Sequence, residues 1–501
     1  MPPTPRVAHP RPAAPTTRLL IGSVFAALAA ALPMHRAQAA DAPTLEARLQ
    51  QLVDRLQQLE QRNQALERQV QALGAGKPPQ ATAADTWRAA PDASAQQVEP
   101  EPRALRQDVQ SPARPAEVEA TDDTAGPTVE IGVITVAQQI NAGGADAGRR
   151  ESRLNYRGDV VVSWPLGSVA GAPGTAVGQL RFGQGGGVRP RPTYTGAVNS
   201  SSFEAAGGSD ETYAVVAQAY YQLGWALDGG RFNELPGNRL ELGVGKMDLF
   251  GFFDQNAAAG DEGAQFLNNV FVHNPMLDSG GDIGADAYGF APGLRAAYFN
   301  VGERHSWGAS LGVFASGAGA AFGGGLGRPL VIAQLEASPL QLNGESRGNY
   351  RLYAWTNGHT LDLQDREQRH SGLGLSLDQR LGRDWTLFGR YGRRTSGDGG
   401  FDNALTLGFA FGGRGWGRGM DSIGLAAGWL QTGNAWRGAT ADRSLVGYAA
   451  SGQERLAELY YRIKVNERLE ITPDFQLIQR AGGDRGAPDV RILGVRASLG
   501  F

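Results

Sequence analysis

Arg157 and Asp159 stand two residues apart in "RLNYRGDVVVSW" (153–164), and the same step of two carries Glu458, Tyr460 and Arg462 through "LAELYYRIK" (456–464). A β-strand sends alternate side chains to one face, so each run gathers ionic groups on one side and apolar groups on the other. Counted this way, Arg157, Arg181, Arg295, Arg351, Arg390, Arg462 and Arg496 share a face with Asp159, Glu241, Asp378 and Glu458. Tyr353, Trp355 and Tyr460 join them. These residue types recognise solutes rather than break bonds. A guanidinium offers five donors in a fixed fork, carboxylates accept, and an aromatic plate takes the C–H face of a ring. The set suits a sugar. An arginine-dominated wall suits an anion such as phosphate equally well, and composition leaves the two open.

Bond-making chemistry has little to work with. There is no cysteine, which excludes disulfides and thiol catalysis. Of six histidines, His9 and His35 fall in the leader, and His273, His305, His359 and His370 lie in or beside loops with no nucleophile elbow or metal spacing nearby. "GAPGTAVG" (171–178) lacks the Gly-Lys-Ser/Thr ending of a phosphate loop. No enzyme activity, cofactor or metal site is expected. A net charge of −3 gives no sign of a nucleic-acid partner.

The elements that position the charged face begin late in the chain. Residues 1–39 read as a signal peptide: Arg6, Arg11 and Arg18, then the apolar "LLIGSVFAALAAAL" (19–32) and "AQA" (37–39). Residues 40–74 carry Leu45, Leu49, Leu52, Leu56, Leu59, Leu66, Val70 and Leu73 at alternating steps of four and three, with Asn63 in the one gap. That heptad pattern predicts a periplasmic coiled coil, a homo-oligomer contact in which Asn63 fixes register. Residues 75–127, rich in Ala and Pro, predict a disordered linker. Residues 128–501 break into sixteen short alternating segments, among them 152–164, 176–183, 238–247, 303–316 and 419–431, and the last is 488–501. Short turns such as "LGRD" (381–384) and "VNER" (465–468) alternate with long loops at 184–211, 248–288 and 432–451.

An all-β fold follows: a 16-stranded antiparallel transmembrane β-barrel in the outer membrane of a Gram-negative bacterium, preceded by the coiled-coil helix and linker. Lipid would meet the apolar faces and water the charged ones. One arginine reversed onto lipid near mid-membrane costs roughly 2–4 kcal/mol, so the consistent parity carries weight. The alternating tail "VRILGVRASLGF", ending in Phe501, predicts a signal for the barrel assembly machinery. A barrel of this size is wide enough for an aqueous channel. Passive diffusion of small hydrophilic solutes is the expected function. A general-diffusion or phosphate-preferring pore, and a structural barrel tethering the envelope through its coiled coil, are the alternatives.

The connection "GKMDLFGFFDQNAAAGDEGAQFLNNVF" (245–271) holds too many aromatics for a free surface loop and is expected to fold inward and narrow the pore. Strand parity sends Lys246 outward, so a bulge after Gly245, or an end of the strand there, is expected. This stretch resembles a conserved region of the carbohydrate-selective porin (OprB) family. "GRGMDSIGLAAGW" (417–429) and "ELYYRIKVNERLEITPDFQLIQRAGG" (458–483) resemble two further regions of it. The resemblance implies a sixteen-stranded channel for monosaccharides such as glucose. It implies constriction-loop positions at Lys246, Asp248, Phe253, Asp254, Asn256, Phe266 and Asn268, and further family positions at Asp421, Glu458, Tyr461, Pro473, Asp474 and Gln476.

Overall fold

A computed structural model describes residues 126–203, 212–228, 237–277, 289–302, 305–316, 325–338, 348–364 and 366–501. The leader, the heptad segment (Leu49, Leu52, Leu56, Leu59, Asn63, Leu66) and all but the last two residues of the linker lie outside them. Sixteen strands follow in order: β1 (Thr128–Ile140), β2 (Glu151–Val169), β3 (Ala172–Gln184), β4 (Tyr213–Ala226), β5 (Gly237–Asp248), β6 (Phe290–Val301), β7 (Ser306–Phe314) and β8 (Leu330–Ser338). The second half adds β9 (Gly348–Leu361), β10 (Glu367–Leu381), β11 (Trp385–Ser396), β12 (Phe401–Gly412), β13 (Ser422–Thr432), β14 (Gln453–Lys464), β15 (Leu469–Gln479) and β16 (Val490–Gly500). Each pairs antiparallel with its neighbours in sequence, and β1 pairs with β16, so the sheet is a closed barrel. Closure leaves no strand edge unpaired.

The alternation decides which face is which. Leu154, Val244, Leu294, Leu335, Leu352 and Leu493 all project outward with more than half their surface exposed. In hydrocarbon such a surface is solvated, and the closed ladder pairs the strands' backbone groups with one another. Trp164, Trp385, Trp416 and Phe501 crowd the outer rim at the end of the barrel that carries the short turns, the position of an interfacial aromatic girdle.

Two local departures from the regular ladder shape the rest. The expected strands 152–164 and 176–183 continue toward each other until only Ala170 and Gly171 separate them, both with positive φ, the geometry of a type I′ hairpin. Pro165 and Pro173, which read as a loop, fit because the β2–β3 register shifts between Pro165 and Ser168. On β4, Ala217 is an extra residue between Val216 and Gln218, which pair with the adjacent Leu180 and Gln179. This bulge reverses the parity of β4.

No bulge follows Gly245 in the β5–β6 pairing, and the strand does not end there. It runs in register with β6 to Asp248. Lys246 lies toward the outer surface as alternation requires, and its Nζ donates to the Val216 carbonyl at 3.1 Å, beside the β4 bulge. Lys246 and Asp248 are therefore strand residues, not loop residues. Gly245 sits at φ 138°, where a Cβ would stand 2.3 Å from the Ala219 carbonyl oxygen, so glycine lets the two strands close up.

Candidate functional site

The bore is occupied by residues 249–277 of the β5–β6 connection, and their apolar content explains why. Phe252, Phe253, Phe266, Phe271, Met276 and Leu277 are buried and cluster with inward residues of the wall such as Ile332, Phe388 and Leu430. Full burial of one such side chain contributes roughly 1.5–3 kcal/mol. An outward-pointing loop would forgo all of it. The Phe266 ring packs against Phe271, Phe388 and Tyr460 with centroids 5.6, 5.6 and 4.9 Å away. Phe253 meets Phe314 edge-on at 6.1 Å. Where a soluble protein would have a core between layers, this chain has one inside the barrel.

Polar anchors then lock the loop to the wall. Asp254 adopts a left-handed backbone (φ 56°), and its carboxylate accepts from Arg390 Nε (3.1 Å), the Tyr353 hydroxyl (2.7 Å) and the Asn274 N–H (2.6 Å). Arg390 also donates to the Phe271 and Asp254 carbonyls at 2.7 and 3.1 Å. Asn256 Nδ2 donates to the Leu377 carbonyl, and Arg351 Nη1 donates to the Gln255 carbonyl at 2.7 Å. On the opposite wall, the Glu458 carboxylate accepts the Leu267 and Asn268 N–H groups at 2.5 and 3.0 Å. Arg496 Nη1 donates to the Glu262 and Gln265 carbonyls at 2.8 and 2.9 Å. Asn268 caps the single-turn helix α1 (Asn269–Val272) by accepting from the Val270 N–H, and its amide donates to Gln476 Oε1 at 3.1 Å.

Residues 185–203 of the β3–β4 connection, which the sequence marks only as a long loop, also enter the bore. Wall amides receive them: Gln138 and Gln476 both donate to the Val198 carbonyl, and Asn155 donates to that of Ser201. The Ser200 N–H donates to the Leu267 carbonyl at 2.8 Å, so the two loops brace each other. Inward glutamine and asparagine side chains facing no counter-charge were the only available sign.

Electrostatics tighten the junction. Arg157 Nη2 donates to Glu262 Oε1 at 2.9 Å, and Arg181 Nε donates to Asp159 Oδ1 at 2.7 Å. Burial alone would raise the Glu262 carboxyl, but the Arg157 and Arg181 guanidinium groups hold it at about 2. Outside this knot, Glu241 accepts from Arg295 at 2.8 Å, and Asp378 accepts from Arg351 at 3.2 Å. Arg462 faces Glu470 at 3.8 Å, and Lys464 donates to Glu470 at 2.8 Å.

These positions revise what the residues can touch. Arg390 and Arg496 lie under the loop rather than at a water surface, and neither is exposed. Arg157, Tyr353 and Glu458 are likewise covered. Tyr353, Trp355 and Tyr460, expected as stacking plates, lie flat on the neighbouring strand: a Cβ at Gly374, Gly372 or Gly424 would fall about 2 Å from their rings. Arg351 and Arg462 stay partly exposed on the inner face. Asp421 and Tyr461 stand apart at the short-turn rim. There the Asp421 carboxylate accepts from Arg418, the Tyr461 hydroxyl (2.7 Å) and the Lys464 N–H (3.0 Å). Pro473 is exposed on the outer face, whereas Asp474 and Gln476 point inward.

Comparison with known proteins agrees with this architecture. No curated protein matches the chain. The high-pH structure of Pseudomonas putida OprB superposes with a TM-score of 0.59 at 17% identity, covering 75% of this chain and 94% of that one. The low-pH structure of the same protein gives 0.44 at 15% identity, with 75% and 93% covered. The Acinetobacter baumannii outer-membrane channel DcaP gives 0.45 at 12%, with 75% and 98% covered. The model of the carbohydrate-selective porin, OprB family, matches residues 151–501. With its closed sixteen-stranded wall, apolar exterior and loop-narrowed bore, this chain is an outer-membrane channel that belongs to the OprB family of carbohydrate-selective porins.

Proposed function

We propose that the channel passes small neutral sugars of the glucose type by passive diffusion, along the path left between the locked loops and the wall. The observation that carries this choice of solute is charge balance. Six of the seven inward arginines named above each have a carboxylate partner: Arg157 with Glu262, Arg181 with Asp159, Arg295 with Glu241, Arg351 with Asp378, Arg390 with Asp254 and Arg462 with Glu470, while the buried Arg496 donates to loop carbonyls. A pore selecting phosphate needs cationic rings facing the solute. Paired forks instead present donors and acceptors side by side with little net field, which suits hydroxyl groups. Among the wall arginines, Arg351 and Arg462 remain placed to meet the solute, with Arg295 flanked by the Phe252 and Phe299 rings at 4.8 and 5.7 Å.

Planar-bilayer conductance tests this directly. A tenfold potassium chloride gradient should give a reversal potential near zero, and glucose should interrupt the current in a concentration-dependent way that Arg462→Met weakens. Strong anion selectivity, with phosphate blocking and glucose inert, is the result that refutes the proposal. Phe501 is proposed as the assembly signal, and the predicted coiled coil as the oligomer contact; each is separable from conduction by deletion.

A further inference from the structure

Above the locked loops, at the long-loop end, lies a cavity of about 350 Å³ that the channel described so far does not use. Five connections frame it, and Tyr194, Leu363, Phe401, Trp436, Tyr448 and Gly482 line it. Phe401 is buried and Tyr194 packs against it, centroids 5.5 Å apart. Trp436 lies on the short helix α2 (Asn434–Ala439). Gly482 has φ 63°, and a Cβ there would stand 2.1 Å from the Tyr448 hydroxyl oxygen. The backbone therefore approaches the phenol as only glycine allows.

Two features separate this cavity from ordinary loop packing. Its lining residues are all neutral, with no lysine, arginine or carboxylate among them, and four of them are aromatic. The Tyr448 hydroxyl, on a lining residue, supplies a polar group to the same wall. Aromatic side chains with polar groups between them, around a volume of this order, make up a usual small-molecule site. The lining also reaches the constriction: Tyr194 N–H and Thr195 Oγ donate to the carboxylate of Glu454 on β14, and Ala197 of the same loop accepts from the Asn269 N–H of α1.

We propose that this cavity is a saccharide-capture subsite, taking one pyranose ring ahead of the constriction. The C–H face lies on the aromatic rings, and a ring hydroxyl pairs with the Tyr448 hydroxyl. The subsite rests on the sugar reading above and adds an entry step to it.

The test uses the full chain folded in detergent, with methyl α-glucoside and maltose as probes. Binding is read by titration calorimetry, and current interruptions by single-channel recording with sugar added at the long-loop end. A gel-shift on heating confirms that each variant has folded. Trp436→Ala should weaken binding at least fivefold and slow the onset of block. Trp436→Phe, which keeps an aromatic plane, should retain most of the binding, and Tyr448→Ala should weaken it. The subsite is overturned if the native chain shows no sugar binding, or if Trp436→Ala and Tyr448→Ala bind as it does. Sugar binding that depends on Trp436 but never interrupts current would uphold the subsite and refute sugar conduction.

Discussion

Replacing Arg390 by methionine keeps most of the side-chain volume and removes the hub of the loop anchor. Arg390 and Asp254 are both wholly buried, 3.1 Å apart, and Arg390 makes two further hydrogen bonds to loop carbonyls. Removing one partner of a buried ion pair costs about 3–5 kcal/mol, because the other charge is stranded. At 1.4 kcal/mol per tenfold, opening of this part of the loop should rise by about two to three and a half powers of ten. Hydrogen exchange at the Phe271, Val272 and Asn274 amides reads that equilibrium. Protection there should fall by this factor while strand amides of β9–β11 keep theirs, and channel noise should increase. The double variant Arg390→Met/Asp254→Asn removes both charges, and asparagine tolerates the left-handed backbone at 254, so it should recover much of the loss. Unchanged protection in the single variant, or a double variant worse than the single, refutes the view that this pair locks the loop.

Acid should release the Glu262 contact in a defined window. The carboxyl is held at about 2 from an ordinary 4.5, a lowered value, so its contribution is complete above 4.5 and disappears as pH falls toward 2. Loop noise should rise between those values, and Glu262→Gln should make it insensitive to pH there; a native channel steady to pH 2 argues against it. Lys246→Met should leave ion selectivity and sugar block as they are, since Lys246 faces the outer surface, and a changed reversal potential would place it in the bore after all. Deleting Phe501, whose N–H donates to the Ile131 carbonyl at 2.9 Å and whose ring meets Arg468, should lower the yield of folded barrel in cells. Equal yield removes it as an assembly signal.

The wall was readable because parity is enforced twice, by lipid outside and by charge inside. A run such as Leu469, Ile471, Pro473 against Glu470, Thr472, Asp474 has only one comfortable orientation. Strand ends were less legible where proline intervened, as at Pro165 and Pro173, since a register shift accommodates them without leaving a local mark. The inward fold of the β5–β6 loop followed from its phenylalanines. Its attachment points did not, because alternation tells which face a side chain takes and not what stands opposite. Arg390, Tyr353 and Glu458 accordingly looked like lining and are clasps. Lys246 shows the converse: β5 keeps its register past Gly245, and Lys246 faces outward by plain alternation.

The seam between β1 and β16 joins Ile140 to Ile492 and Gly132 to Gly500, partners 352 and 368 positions apart. Contacts so distant in sequence form slowly, and here the most distant of all is the one that turns a ribbon into a tube. Until that join is made, both outermost strands present bare amides that oil cannot satisfy. Synthesis, export and delivery must therefore all be finished before the molecule acquires an inside at all.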